Sequence, residues 1–399
     1  MKHTFLKYIA AGILTALTVS ISLHAQEFKI GPKAVQVHGF ATQGFVYTSG
    51  NNWLTMTTNG DGSFGMTDMG LNASSQVTNK FRIGAQVYDH NLGQLGQYHP
   101  DLDWAVADFR VKPWLGFRGG KVKTTFGLYT DTQDLDSLHI FSLMPQSIYP
   151  IDMRDASIAH LGGDVYGKVR LSHNRGSFEY TIWSGHRSDS IYSGYPLFLL
   201  SKGTVTKTYG GLQYGYDLRW NTPAKGLVVG ASRMSQDIVG TSTRGGLPNQ
   251  EHSVKDWTNQ FYGQYTHRNL QLESEFRHYC RDEVVRNGVA EDKGNMKSWY
   301  IAGTYQVMKK LALGSYFSHY TVTDTFPAMA QDTSLPSNHD YDKVISGRVD
   351  INRFVYVKAE GHFMDGYGQG PFPNGFYPQQ NPTFVPNTKA LVLRTGFSF

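Results

Sequence analysis

The sequence predicts an all-β protein, a transmembrane antiparallel β-barrel of about 16 strands. Three observations lead there. The chain divides into segments of about ten residues whose side chains alternate between an apolar and a polar face, as lipid-facing and lumen-facing positions do in a barrel. Short and long connections between these segments succeed each other along nearly the whole chain. Beyond residue 25, no apolar run approaches the roughly 20 residues that a spanning helix needs. A membrane chain without such a run must close into a barrel, because only helices and barrels satisfy every backbone polar group in lipid.

Taken in order, the chain starts with Lys2 and Lys7, an apolar stretch from Ile9 to Leu23, and Leu23-His24-Ala25 before Gln26. This pattern predicts a cleaved signal peptide over residues 1–25, with the barrel over 26–399. The first alternating segment opens at Val35. Others open near Asp68, Phe81, Asp103, Leu115, Asp164, Ser177, Thr208, Gly226, Trp257, Leu270, Trp299, Leu311, Asp342, Phe354 and Ala390. In the third, Phe81, Ile83, Ala85 and Val87 share one face. Short links at 78–80, 173–176, 222–226, 268–269, 309–310 and 352–353 carry Gly, Asn or Pro in most cases. Long links fall at 50–64, 92–99, 128–163, 186–206, 238–255, 282–295, 324–339 and 367–386. Short turns at one rim and long loops at the other produce this rhythm in a transmembrane barrel. In the last segment, Leu391, Leu393, Thr395, Phe397 and Phe399 form one face, and Val392, Arg394, Gly396 and Ser398 the other.

Composition removes several function classes. Formal charge is +5, of which Lys2 and Lys7 supply two, leaving +3 after Ala25. So small a surplus argues against a nucleic-acid partner. The lone Cys280 permits no intrachain disulfide, and a single thiol reads as a wall residue. No His or Cys pair has metal-ligand spacing, and Gly60-Asp61-Gly62 leads into no helix, so no metal or cofactor is expected. An outer-membrane hydrolase would need a nucleophile beside one of His160, His186, His278, His319 or His362, none of which stands in a catalytic motif. The chain therefore reads as no enzyme. An adhesin would carry repeats in its outer loops, and none is visible.

Val37-His-Gly-Phe-Ala-Thr-Gln-Gly44 with Ser49-Gly-Asn-Asn52 resembles the opening of Gram-negative porins. So do Phe64-Gly-Met-Thr-Asp-Met-Gly-Leu-Asn-Ala73 and Gly119-Gly-Lys-Val-Lys-Thr-Thr-Phe-Gly-Leu-Tyr129, the latter resembling a basic strand that runs into the third loop. The closing strand with its final Phe399 resembles that of outer-membrane barrels. Thr125 stands where the family often has Pro. The resemblance implies passive diffusion of small hydrophilic solutes and ions through a homotrimer in the bacterial outer membrane. Lipid and lipopolysaccharide would surround the wall. It also implies a third loop, here about 128–163, folded inward as a constriction. That loop holds Asp131, Asp134, Asp136, Asp152, Arg154 and Asp155.

With the apolar face outward, alternation lists the lumen lining. Basic positions are Arg82, Arg110, Lys121, Lys123, Lys168, Arg170, Arg219, Arg348, Lys358 and Arg394. Acidic ones are Asp108, Glu179, Asp217, Glu273, Glu275, Asp350 and Glu360. Lumen charges escape the cost of hydrocarbon burial. The expected site sets the wall cations Arg82, Arg110, Lys121, Lys123, Lys168, Arg170 and Arg394 against Asp131, Asp134 and Asp136 on the loop. Such a field sorts ions without tight binding; the mixed lining leaves the sign of the preference open, with Lys121, Lys123, Lys168 and Arg170 as the slight argument for anions. A substrate-specific channel for a sugar or organic anion is the alternative, with Tyr262, Tyr316, Tyr320 and Tyr356 as candidate aromatic lining.

Overall fold

A computed structural model describes residues 26–30, 33–172, 174–287, 289–325, 329–330, 332–368, 375–378 and 380–399. The expected signal peptide, 1–25, lies outside them. Sixteen strands form the barrel: β1 Lys33–Ser49, β2 Ser63–Thr78, β3 Phe81–Leu92, β4 Asp101–Lys112, β5 Leu115–Lys123, β6 Ala159–Arg170, β7 Ser177–Ser188 and β8 Thr204–Asn221. The second half comprises β9 Leu227–Arg244, β10 Leu247–His267, β11 Leu270–Arg286, β12 Val289–Met308, β13 Leu311–Thr325, β14 His339–Asp350, β15 Val355–Gly366 and β16 Asn387–Ser398. Each pairs antiparallel with the next. The last closes on the first, with Lys389 opposite Ser49 and Ser398 opposite Phe40. Closure leaves these strands no open edge, which is what a bilayer requires. Two short additions flank the barrel: Gln26–Ile30 pairs with β1, and Met329–Ala330 pairs with β13.

Alternation decides the two faces. Along β16 the odd residues Leu391 and Leu393 are exposed, while Val392 and Arg394 are buried inside. Phe64, Leu71, Ile83, Val87, Phe109, Phe117, Ile182, Phe261, Ile301 and Ile345 continue the exposed apolar belt. Apolar patches of this extent on a monomer mark a surface meant for lipid or a partner. Tyr262, Tyr316, Tyr320 and Tyr356 all point inward and are buried.

All sixteen expected segments coincide with strands, those at Gly226 and Phe354 opening one residue early, but two expected long links do not exist as loops. Residues 238–255 and 282–295 belong mostly to β9–β10 and β11–β12, which run on as extended hairpins. The β9–β10 turn is Gly245-Gly246, with φ of 57° and 79°. That left-handed conformation matches strand twist in a tight hairpin and favours glycine. The third loop spans 124–158 rather than 128–163, because Ala159–Gly163 already pair with Gly119–Lys123.

The loop rim is filled asymmetrically. Trp53, Leu54, Met56, Leu95, Leu143, Leu197, Phe376 and Tyr377 pack with Val46 and Val392 of the wall into one apolar cluster. Leu197 belongs to the helix α2, Gly194–Ser201, between β7 and β8; the one-turn helix α1, Arg154–Ser157, lies in the third loop. Asn51, Asn52 and Asn381 cross-link the loops on both sides of the β16–β1 seam through paired amide hydrogen bonds.

Candidate functional site: the inward loop and the cavity beside it

Residues 124–158 leave the wall at Lys123 and pass through the barrel interior. The pivot is Gly127, at φ 67°. Its N–H donates to Ser232 Oγ (2.9 Å), and Arg219 donates to its carbonyl (3.0 Å). From there Leu128 N–H donates to Glu275 Oε2 at 3.0 Å. Tyr149 donates to Glu275 and Tyr129 to Glu273. Phe141, Met144, Ile148 and Tyr149 then pack on Tyr300, Ala302, Tyr316 and Val344 of the wall.

Ion pairs fix the opposite side. Asp136 accepts from Lys358 at 2.8 Å and from Tyr356 at 2.7 Å, and Arg394 approaches it to 3.0 Å. Arg394 also pairs with Asp68 and donates to the Ser142 carbonyl at 2.8 Å. Asp134 meets Lys123 at 2.8 Å, Arg154 at 3.4 Å and the Gln86 amide at 3.0 Å. Arg154 pairs with Asp103 at 2.7 Å, and its guanidinium lies 3.7 Å from the centre of the Tyr88 ring. Glu360 accepts from the Ser142 and Leu143 N–H groups. Burial alone would push Asp136 upward, but Arg394 and Lys358 outweigh it and hold the carboxyl below its ordinary value. Lys123 and Arg154 do the same against burial for Asp134. Both acids are thus ionised struts with multiple donors, the arrangement that makes buried charge tolerable.

The expected site residues divide. Asp134, Asp136, Lys123 and Arg394 meet in this network. Asp131 contributes its carbonyl, which accepts from Lys123 at 2.9 Å. Arg82, Arg110, Lys168 and Arg170 line the inner wall toward the short-turn rim, away from Asp134 and Asp136. There Arg82 donates to Ser74, Arg110 stands 5.9 Å from the Tyr166 ring, and Lys168 pairs with Glu179 at 2.6 Å. Arg170 sits opposite Ser177 at the end of β6. Lys121 is not on the inner face. It lies opposite Ala105 and the exposed Leu161, and it donates to the Leu102 carbonyl on the outside. In β5 the inward residues are Arg118, paired with Asp164 at 2.9 Å, and Val122. Lys123 shares Lys121's parity and reaches Asp134 only because the strand ends there.

Between the loop and the β7–β13 wall remains a cavity of about 120 Å³. Arg187, Arg277 and Arg281 line it, with Asp256 as the one lining carboxylate among the described residues. None of these arginines was on the sequence-derived list. Arg277 and Arg281 share the face of Glu273 and Glu275, so the alternation already held them. Arg187 lay hidden in a segment read as loop, although β7 continues to Ser188.

No protein-family model and no curated protein matches the sequence. Solved structures do match in shape. Outer-membrane expressed OmpT of Vibrio cholerae aligns at TM-score 0.58 and 12% identity, over 94% of this chain and 100% of that one. An anion-selective porin from Comamonas acidovorans aligns at TM-score 0.58 and 10% identity, over 92% and 100%. The outer membrane channel DcaP of Acinetobacter baumannii aligns at 0.55 and 12%, over 94% and 100%. At such identities the likeness is one of fold: this chain is a closed, sixteen-stranded antiparallel β-barrel of the kind these outer-membrane proteins have.

Proposed function

We propose that the protein is a channel of the bacterial outer membrane, exported by the segment 1–25, through which small hydrophilic solutes and ions diffuse passively. The observation that carries this reading is the third loop, which narrows the barrel interior yet leaves beside it a cavity whose lining includes Arg187, Arg277 and Arg281. Water-filled lumens tolerate such charges, and their sign and spacing sort ions. The loop acids Asp131, Asp134 and Asp136 and the cations Lys123 and Arg394 set the constriction's shape. Arg82, Arg110, Lys168 and Arg170 supply a positive vestibule at the short-turn rim. The exposed apolar wall suits both outer-membrane lipid with lipopolysaccharide and the subunit contacts of a homotrimer. A hydrolase would require a Ser–His contact. His160 instead meets Thr124, His278 meets Asn295, and His362 meets Asp342 and Glu360.

Purified protein in a planar bilayer provides the test. Stepwise conductance proportional to salt, reduced by neutral sugars small enough to enter, is the expected result. Absence of any conductance defeats the reading.

A further inference from the structure

We propose that the cavity between the third loop and the β7–β13 wall is a binding site for a small organic anion with an apolar, ring-sized body. The inference rests on the channel reading above and names the solute class that this constriction selects.

The first argument is an excess of donors. Arg277 donates Nε–H to Gln260 at 2.8 Å, and among the described residues no carboxylate pairs with its guanidinium. Arg187, by contrast, is neutralised by two contacts to Asp189, at 2.9 and 2.6 Å. Tyr320, only 5% exposed, lines the same cavity, and among the described residues its hydroxyl has no hydrogen-bond partner. A half-buried guanidinium with one side-chain hydrogen bond and a buried phenol with none leave donors that an incoming acceptor would satisfy. A carboxylate fits best, because its two oxygens match the fork of an arginine.

The second argument is the rest of the lining. Met153 and Ala156 of the loop and Ile238 and Met296 of the wall are buried around the cavity, and Met234 joins them. Methionines adapt to flat apolar bodies and make favourable contacts with rings. The space suits the size as well: an apolar cavity of about 150 Å³ accepts benzene, against about 120 Å³ here. Acetate would use the donors and leave the apolar side in contact with water. Benzoate would use both.

The experiment measures block of potassium chloride conductance by benzoate, acetate and benzamide in bilayers containing the full chain. Benzoate should block saturably at a concentration at least tenfold below acetate, and benzamide should not block in that range. Arg277→Gln should abolish the benzoate preference, and Met234→Ser should weaken benzoate block without altering that by acetate. Equal block by benzoate and acetate overturns the apolar half of the proposal. Equal block by benzamide overturns the anionic half. If the protein conducts nothing, the channel reading falls, and calorimetric titration of benzoate into detergent-solubilised protein decides the site by itself. Heat released by benzoate and not by benzamide upholds it, and no binding ends it.

Discussion

Lys358 shows how single residues hold the constriction. Its side chain is fully buried, and its ammonium donates to Asp136 Oδ1 and to the carbonyls of Asp136 and Phe141. Lys358→Met keeps most of the volume but takes a donor from the Asp136 and Phe141 carbonyls and one of the two cations from Asp136 Oδ1. Breaking one side of a buried ion pair costs about 3 kcal/mol or more. The variant should fold as a barrel, with unchanged strand signal by circular dichroism, while protease cuts within 124–158 more readily and open-channel noise rises. Unchanged protection of the loop would show that Arg394 and Tyr356 suffice. The same loop carries a proton-sensitive residue. Burial pushes His139 down to about 4, despite the Thr132 carbonyl it faces and the nearby Asp136 and Asp134; Lys358 adds to the depression. A free histidine titrates near 6.5, so the docked loop excludes a proton that the undocked loop would bind. Docking is therefore at full strength above about pH 6.5 and weakens as pH falls toward 4. Asp155 acts in the opposite sense. Burial lifts it to about 6 against the pull of Arg154, so acid relieves a penalty there. Comparing wild type with His139→Asn separates the two, since asparagine can still donate to Thr132. Between pH 7 and 4.5 the variant should lose less hydrogen-exchange protection in the loop than wild type. Equal losses would remove His139 from the account.

At the scale of elements, Gly127 is the hinge between wall and loop. A Cβ there would meet the Gln260 amide and the Glu275 carboxylate, and the backbone lies in the left-handed region. Gly127→Val adds strain of about 1–3 kcal/mol and displaces the acceptor that holds Leu128 and Tyr149. The loop should undock, raising single-channel conductance with no change in strand content. Conductance identical to wild type would mean that the far anchors alone position the loop. Elements also show what a sequence can reveal. Alternation located all sixteen strands because one face of each meets an apolar surround. It failed at the loop rim: β10 starts at Leu247, where the reading began at Trp257, because polar residues occupy both faces of a hairpin that rises past the apolar belt. Gly245-Gly246 was the visible turn signal. The network is a different case. Asp136, Lys358 and Arg394 were legible as charged positions, but their meeting depends on register across more than two hundred residues, which no local pattern carries. Lys121 was misplaced because Lys121 and Lys123 share parity, and only the pairing with Leu161 tells which face that is.

The whole molecule separates the barrel from what fills it. Strand ladders run uninterrupted from β1 to β16 and close at the seam, and the third loop adds no rung to them. Lys123 stands directly opposite Ala159 in the β5–β6 ladder, so the loop leaves and re-enters the wall at one point. A short connection can bridge that point, since the closure cost changes little with loop length. Replacing residues 130–157 by a few glycines and serines should therefore yield a folded barrel of the same strand content. The deletion removes Asp131, Asp134, Asp136 and the loop side of the arginine-lined cavity together, and it uncovers Lys358, Arg394, Glu273 and Glu275. Conductance should rise several-fold and larger neutral sugars should pass. Any ion preference should fall, because the uncovered cations and acids then face a wide aqueous lumen where water and salt screen them. Benzoate block should vanish, since Met153 and Ala156 leave with the loop. A deletion protein that folds yet conducts no better than wild type would place the constriction elsewhere, in the apolar cluster around Trp53, Phe376 and Tyr377 at the loop rim. A deletion protein without barrel structure would make the third loop part of the folding core.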